Sequence, residues 1–157
     1  MSDKNRDFEV VSKYSNETLK KPIRATKHAA GYDIFNNSGF DIIIEPGELS
    51  DILTTKYKAF MLPDEALFIY PRSGHGFKYS VRLANTVGII DSDYYNNPKN
   101  EGEIFIRLHN QGTKTLKILR GESFAQGIFA KFLLIDGDSL DNGDVREGGL
   151  GSTTGKV

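Results

Sequence analysis

The sequence predicts an all-β domain, a sandwich or barrel of short strands, and three observations predict it. Short β-branched and aromatic runs recur along the chain. Turn residues punctuate them, and no segment sustains a long 3.6-residue apolar period. At 157 residues the chain is one domain's worth, able to remove roughly 70% of its unfolded surface from water without staples.

Phe8 to Val11 opens the series as a strand, and Ser15-Asn16-Glu17 can cap a short turn before Pro22 ends the segment. Ala25 to Ile34 (ATKHAAGYDI) sets small residues and Gly31 around Asp33, a composition that suits tight packing or a turn. Strands follow at Phe40 to Ile44, Leu49 to Thr54, Tyr57 to Leu62 and Ala66 to Tyr70, with Glu45-Pro46-Gly47 closing the first and Pro71 the last. Val81 to Ile90, Glu103 to Leu108, Thr115 to Leu119 and Ile128 to Ile135 complete the pattern. Asn96 to Gly102 (NNPKNEG) reads as a polar loop, and Val145 to Val157 (VREGGLGSTTGKV) as a tail of disorder-prone composition. No repeat, low-complexity tract or linker divides the chain, so residues 1–157 are expected to form a single domain.

Ten Phe, seven Tyr and 38% hydrophobic residues are enough to fill a core, and 26% charged residues keep the surface polar. A net charge of -1 gives no global electrostatic case for a nucleic-acid or membrane partner. Without cysteine there is neither disulfide nor thiolate metal site. The N-terminus lacks the apolar core of a signal peptide, and Ile128 to Ile135 is interrupted by Lys131 and too short to span a bilayer. A cytoplasmic protein is the expectation.

Several clusters carry candidate chemistry. Asn85 to Tyr95 (NTVGIIDSDYY) runs along a strand expected to be buried, through Gly88, where a ligand could approach the backbone, to Asp91 at the strand's end. A carboxylate held there can act as a general base, but Asp-Ser-Asp also suits a turn, and taken alone the segment reads first as a turn. Tyr70 to Lys78 (YPRSGHGFK) offers an arginine fork, a hydroxyl and glycine-freed backbone to a phosphate. The other reading is a β-turn with a solvated arginine, His75 being a loop residue. In Arg120 to Gln126 (RGESFAQ) the amide of Gln126 either satisfies the core or reaches a ligand. The tail's glycines and hydroxyls, with Arg146, could wrap phosphate oxygens, though the ending of a Walker loop is missing. Together these residues suit hydrolysis of a phosphoanhydride whose phosphates are bridged by a metal ion.

The order AGYD, PRSG, N-x-x-G-x-I-D-x-D-Y, RGE-x-x-A-Q and R-x-G-G-x-G-S-T resembles the motif series of trimeric deoxyuridine triphosphatases (dUTPases), in a bacterial or phage-type variant, over about Ala29 to Gly155. The resemblance implies a jelly-roll-like β fold and a homotrimer whose active sites draw on all three subunits, with residues from about 145 to 157 as a shared lid. It implies hydrolysis of dUTP to dUMP and pyrophosphate, with Mg2+ held chiefly by the triphosphate. Asp91 would then deprotonate the water that attacks the α-phosphorus, and Asp33 would support the metal through its water shell. Asn85 and the backbone from Gly88 to Ile90 would read uracil, and Tyr94 would pack under the deoxyribose and exclude a 2′-hydroxyl. Arg72, Ser73, Gly74 and Gln126 would hold phosphates. Arg146, Leu150, Gly151, Ser152 and Thr153 would close the site from another subunit.

The chain departs from that pattern in places. Leu150 stands where the family usually stacks a phenylalanine on uracil, so weaker substrate binding or a less ordered lid is expected. The last motif is one residue tighter before its glycines, Thr154 is unusual, and Tyr95 to Gly102 is longer than the common turn. A related dCTP deaminase would need a glutamate base where Arg107 stands. A regulatory binding module using the loop Asn96 to Gly102 on a protein partner is the alternative of another class.

Overall fold

A computed structural model of the chain describes residues 4–151. Twelve strands appear among them: β1 Asp7–Val10, β2 Tyr32–Phe35, β3 Ile42–Ile44, β4 Leu53–Thr54, β5 Tyr57–Phe60, β6 Glu65–Pro71, β7 Val81–Leu83, β8 Gly88–Asp91, β9 Phe105–Ile106, β10 Leu108–Asn110, β11 Leu116–Ile118 and β12 Ser123–Lys131. One helix, α1 (Ser73–Tyr79), interrupts the series. The all-β expectation therefore describes the fold. No helix among the described residues is long and apolar enough to cross a membrane.

The sheet that matters most has the order β2-β12-β6-β8, every pair antiparallel. Two-stranded ladders pair β1 with β5, β3 with β11, β4 with β9 and β7 with β10 around it. Phe124, Leu67, Ile69, Leu108, Leu116 and Ile118 are each no more than 1% exposed and belong to one continuous core. In β12 the glycine at 127 has a packing reason: a Cβ there would lie 3.0 Å from Leu67 Cδ1 on β6.

Strand edges differ from the sequence reading where turn geometry intervenes. Val81 to Ile90 is two strands, because the chain turns between them with Thr86 at φ +71°. Ile89 is exposed, so β8 covers the core with one face only. Ile128 to Ile135 gives way to a strand that starts at Ser123 and ends at Lys131. PRSG opens α1, and His75 is a buried helical residue rather than a loop residue. Two glycines among its seven residues lower helix propensity, and so short a helix shows no apolar period. Its end is closed by Ser80 in the left-handed region (φ +53°), whose N–H reaches the carbonyls of Gly76 and His75.

Glu103 anchors the loop side of the fold. It is fully buried, and its Oε1 accepts from the hydroxyls of Tyr14 at 2.9 Å and Thr54 at 2.5 Å, while Oε2 meets the Lys13 ammonium at 2.5 Å. Burial alone would raise its pKa, but these donors outweigh it and hold the carboxyl below its ordinary value. Because the folded-state pKa is depressed, the stabilisation is complete above the unfolded-state value, about 4.3, and is lost as pH falls through the folded one. Glu103→Gln is expected to lower stability at neutral pH and to flatten the acid limb of stability against pH. Urea unfolding across a pH series would read this, and an unchanged acid limb would disprove the assignment.

Candidate active site

Along the outer edge of β8 the chain builds a cleft of about 230 Å³. Asn85, Gly88, Ile90, Asp91 and Tyr94 line it, Ile69, Leu83 and Phe105 add apolar wall, and Arg146, Gly149 and Leu150 of the tail close over it. Gly88 is buried with Ile69 directly behind it, where a Cβ would stand 3.1 Å from Ile69 Cβ. Beside it, Thr86 is a β-branched residue at positive φ, a strained conformation of the kind that collects at binding sites.

Asp91 ends β8 and begins the 3-10 turn Ser92–Tyr94. That turn aims Asp91 and Asp93 at one guanidinium: Arg146 Nη2 lies 2.5 Å from Asp91 Oδ2, and Nε lies 2.6 Å from Asp93 Oδ1. Loss of water at Asp91 pushes its pKa above the ordinary carboxylate value. The Arg146 charge opposes that push and the neighbouring Asp93 adds to it. The result is a carboxylate of raised basicity whose charge is paired with the Arg146 guanidinium.

The tail is fitted to this cleft. Gly149 lies against the Tyr94 ring so closely that a Cβ would come within 2.4 Å of Tyr94 Cε2. Leu150, at φ +53° and 78% exposed, lies over the cleft's mouth. Gly151 is also exposed, with φ +93°. Ser152, Thr153 and Thr154 fall outside the described residues. The described part of the tail is thus seated on its own chain's cleft. The ion pairs of Arg146 and the contact of Gly149 account for that seat.

Arg72, Ser73 and Gln126 line a second cleft, with Tyr70, Pro71 and Phe77. Arg72 donates to the Ser123 carbonyl at 3.3 Å, and Gln126 Nε2 donates to the Pro71 carbonyl at 3.2 Å. Gly74 stands in the first turn of α1, where a Cβ would meet nothing of this chain within 4 Å, so its own packing does not require glycine. Gly31 does serve packing: a Cβ there would lie 2.5 Å from Gln126 Oε1. Asp33, half-buried on β2, pairs with Gln126 across the ladder.

The structure brings the predicted residues together as two groups. Gln126 lies opposite Tyr70 of β6, whereas Asp91 lies opposite Ala66. At ~3.3 Å per residue that offset is about 13 Å along the strand. Asp93, Gly149 and the apolar walls were not singled out as site residues from the sequence. Asp93 carried a signal, since Asp-Ser-Asp brackets one residue, but nothing local pairs it with an arginine 53 positions away. Arg107, where a deaminase would need its base, is exposed and donates to the Ser50 carbonyl at 2.9 Å. The segment Asn96 to Gly102 is a hydrogen-bonded turn structure rather than a plain surface loop, with Asn97 only 4% exposed.

A family model described as dUTPase matches residues 17–154. A deoxyuridine 5′-triphosphate nucleotidohydrolase of Lactococcus lactis subsp. lactis is 43% identical over 150 residues, which cover 96% of this chain and 98% of that one. Its counterpart from Thermoanaerobacter sp. is 33% identical over 138 residues, covering 86% and 88%. Among solved structures, a dUTPase from Streptococcus mutans superposes with a TM-score of 0.71 at 42% identity, over 83% of this chain and 99% of that one. A dUTPase from phage phi11 of S. aureus, 18% identical, superposes with a TM-score of 0.66 over 90% and 99% and shares the fold.

The seat of the tail is open to test without any substrate. Gly149→Ala would drive a methyl group into the Tyr94 ring and is expected to expose the peptide bond after Arg146. Trypsin should then cut there about tenfold faster, the equivalent of ~1.4 kcal/mol in the opening equilibrium. Cleavage at the wild-type rate would show that the tail does not rest on Tyr94.

Proposed function

The chain belongs to the dUTPase family and is a dUTP diphosphatase, and we propose that it works by a water attack at the α-phosphorus with Asp91 as general base. Asp91 takes a proton as the water oxygen bonds to the α-phosphorus, the bond from that phosphorus to the bridging oxygen breaks, and pyrophosphate leaves. The observation that carries this reading is the pairing of Asp91, a carboxylate of raised basicity, with Arg146 in a cleft that Tyr94 lines together with polar and apolar walls. A triphosphate entering the cleft offers Arg146 a more highly charged partner than Asp91, so binding frees the base.

Asn85 and the backbone from Gly88 to Ile90 read the uracil edge, and Tyr94 lies under the deoxyribose. Arg72, Ser73, Gly74 and Gln126 hold phosphates, and Arg146, Leu150, Gly151, Ser152 and Thr153 cover them. The two groups line separate clefts of one chain, which supports a homotrimer in which the phosphate group of one copy completes the Asp91 cleft of another. The open space around Gly74 accords with an approach from outside the chain.

Asp33 is a single half-buried carboxylate beside Gln126. That setting fits a magnesium ion, which is usually bound by one or two carboxylates plus substrate phosphates and keeps several waters. Asp33 would hold the water shell of Mg2+, and the ion when bound would neutralise charge on the phosphates. A cytoplasmic setting accords with a cysteine-free chain.

Pyrophosphate release from dUTP, dTTP, dCTP and UTP with magnesium tests the assignment. Asp91→Asn is expected to lower turnover of dUTP by about 10²- to 10⁴-fold, and turnover equal to wild type would refute the general base. The pH profile adds a signed check. Arg146→Gln removes the charge that opposes the upward push on Asp91, so the acid limb of kcat/KM should move to higher pH. Asp93→Asn should move it to lower pH.

A further inference from the structure

We propose that Asn100, in the segment Asn96 to Gly102, is a specificity-determining positioning residue that fixes Tyr94 for discrimination between deoxyribose and ribose. The proposal rests on the reading above that places the sugar on Tyr94. Tyr94 is 7% exposed, and its hydroxyl sits at the junction of two bonds: it donates to the Glu103 carbonyl at 2.7 Å and accepts from Asn100 Nδ2 at 2.8 Å. A phenol has one proton, and the Glu103 carbonyl can only accept, so the other partner must be a donor.

The orientation of the Asn100 amide is settled by its other side. Its Oδ1 accepts from the backbone N–H of Gly102 at 3.1 Å and from Asn97 Nδ2 at 2.7 Å. A backbone N–H can only donate, so Oδ1 faces Gly102 and Nδ2 faces Tyr94. Asn97 also holds the other end of the same residue, donating from Nδ2 to the Tyr94 carbonyl at 2.8 Å. Gly102, at φ +87°, passes so close that a Cβ would lie 2.7 Å from that carbonyl. The segment therefore grips Tyr94 at both its backbone and its hydroxyl, from the side away from the cleft.

A steric gate rejects a single added hydroxyl only if its wall does not yield. A ring pinned at its para position cannot tilt to admit a 2′-hydroxyl, whereas one held by Glu103 alone can pivot about that bond. The polar composition of NNPKNEG follows from this task, since it supplies the donor that the Tyr94 hydroxyl requires.

Asn100→Asp breaks the two-point grip, because aspartate keeps the acceptor for Gly102 and Asn97 but turns the donor to Tyr94 into an acceptor, and the one phenolic proton can then serve either Glu103 or residue 100 but not both. The expected result is a three- to tenfold fall in the ratio of kcat/KM for dUTP to that for UTP, about the size of one hydrogen bond. Tyr94→Phe removes the hydroxyl, and with it the bonds to both Asn100 and Glu103, and should lower the ratio at least as far, and the double variant should fall no further than Tyr94→Phe alone. Additive losses in the double variant, or an unchanged ratio for Asn100→Asp while Tyr94→Ala abolishes discrimination, would overturn the role of Asn100. An unchanged ratio for Tyr94→Ala would instead overturn the placement of the sugar, and this inference with it. Should Asn100→Asp fail to fold, Asn100→Ala decides in its place: an unaltered ratio sinks the proposal and a lowered one upholds it.

Discussion

β12 hydrogen-bonds along both edges, to β2 on one side and to β6 on the other, and its register sets where the chemistry can be. Gln126 faces Asp33 across one ladder and Tyr70 across the other, while β6 passes the register on to β8. A slip of one residue would turn Gln126 and the buried Phe124 and Ala125 to opposite faces. The alternation is held by Phe124 and Leu67 in the core and by Gly127, whose missing side chain makes room for Leu67. Apolar packing thus fixes polar geometry: Gln126 and Asp91 end up on one sheet, yet displaced along it too far to meet on one substrate phosphate.

That displacement accords with the proposal that a complete site draws on more than one copy of the chain. Asp91 and its arginine can position a base and a sugar, and Arg72, Ser73 and Gln126 can hold phosphates, but each cleft lacks the other's chemistry. In the described chain Arg146 fills the anionic side of its cleft by pairing with Asp91 and Asp93. Such pairs gain modest Coulomb energy where one partner remains half-exposed, so the proposed release of the arginine to phosphates would cost little.

Much of this was legible in the sequence because turn chemistry and β-branched runs act locally. The all-β class followed from that, as did the position of Asp91 at the end of a strand, with Tyr94 just beyond it. Less legible were features decided by tertiary contact. α1 has two glycines and no apolar period, and it exists because His75 is buried and Ser80 closes the last turn. Thr86 at positive φ divides what composition presents as one strand. The pairing of Arg146 with Asp93 joins residues 53 positions apart, and no local spacing announces it.

The segment from Asn96 to Gly102 shows the same limit most sharply. Asparagine, proline and glycine in that density read as a solvated loop, since these residues favour turns wherever they stand. Composition does not reveal that the Tyr94 hydroxyl spends its only proton on Glu103 and so needs a donor, which Asn100 supplies. Nor does it reveal that Gly102 must lack a side chain to pass the Tyr94 carbonyl. The segment meets Tyr94 with paired polar groups: Asn97 donates to its carbonyl and Asn100 to its hydroxyl. Its polarity is directed inward, at the tyrosine proposed to carry the cleft's selectivity, so a loop that looks like a surface for a partner is better understood as backing for that tyrosine.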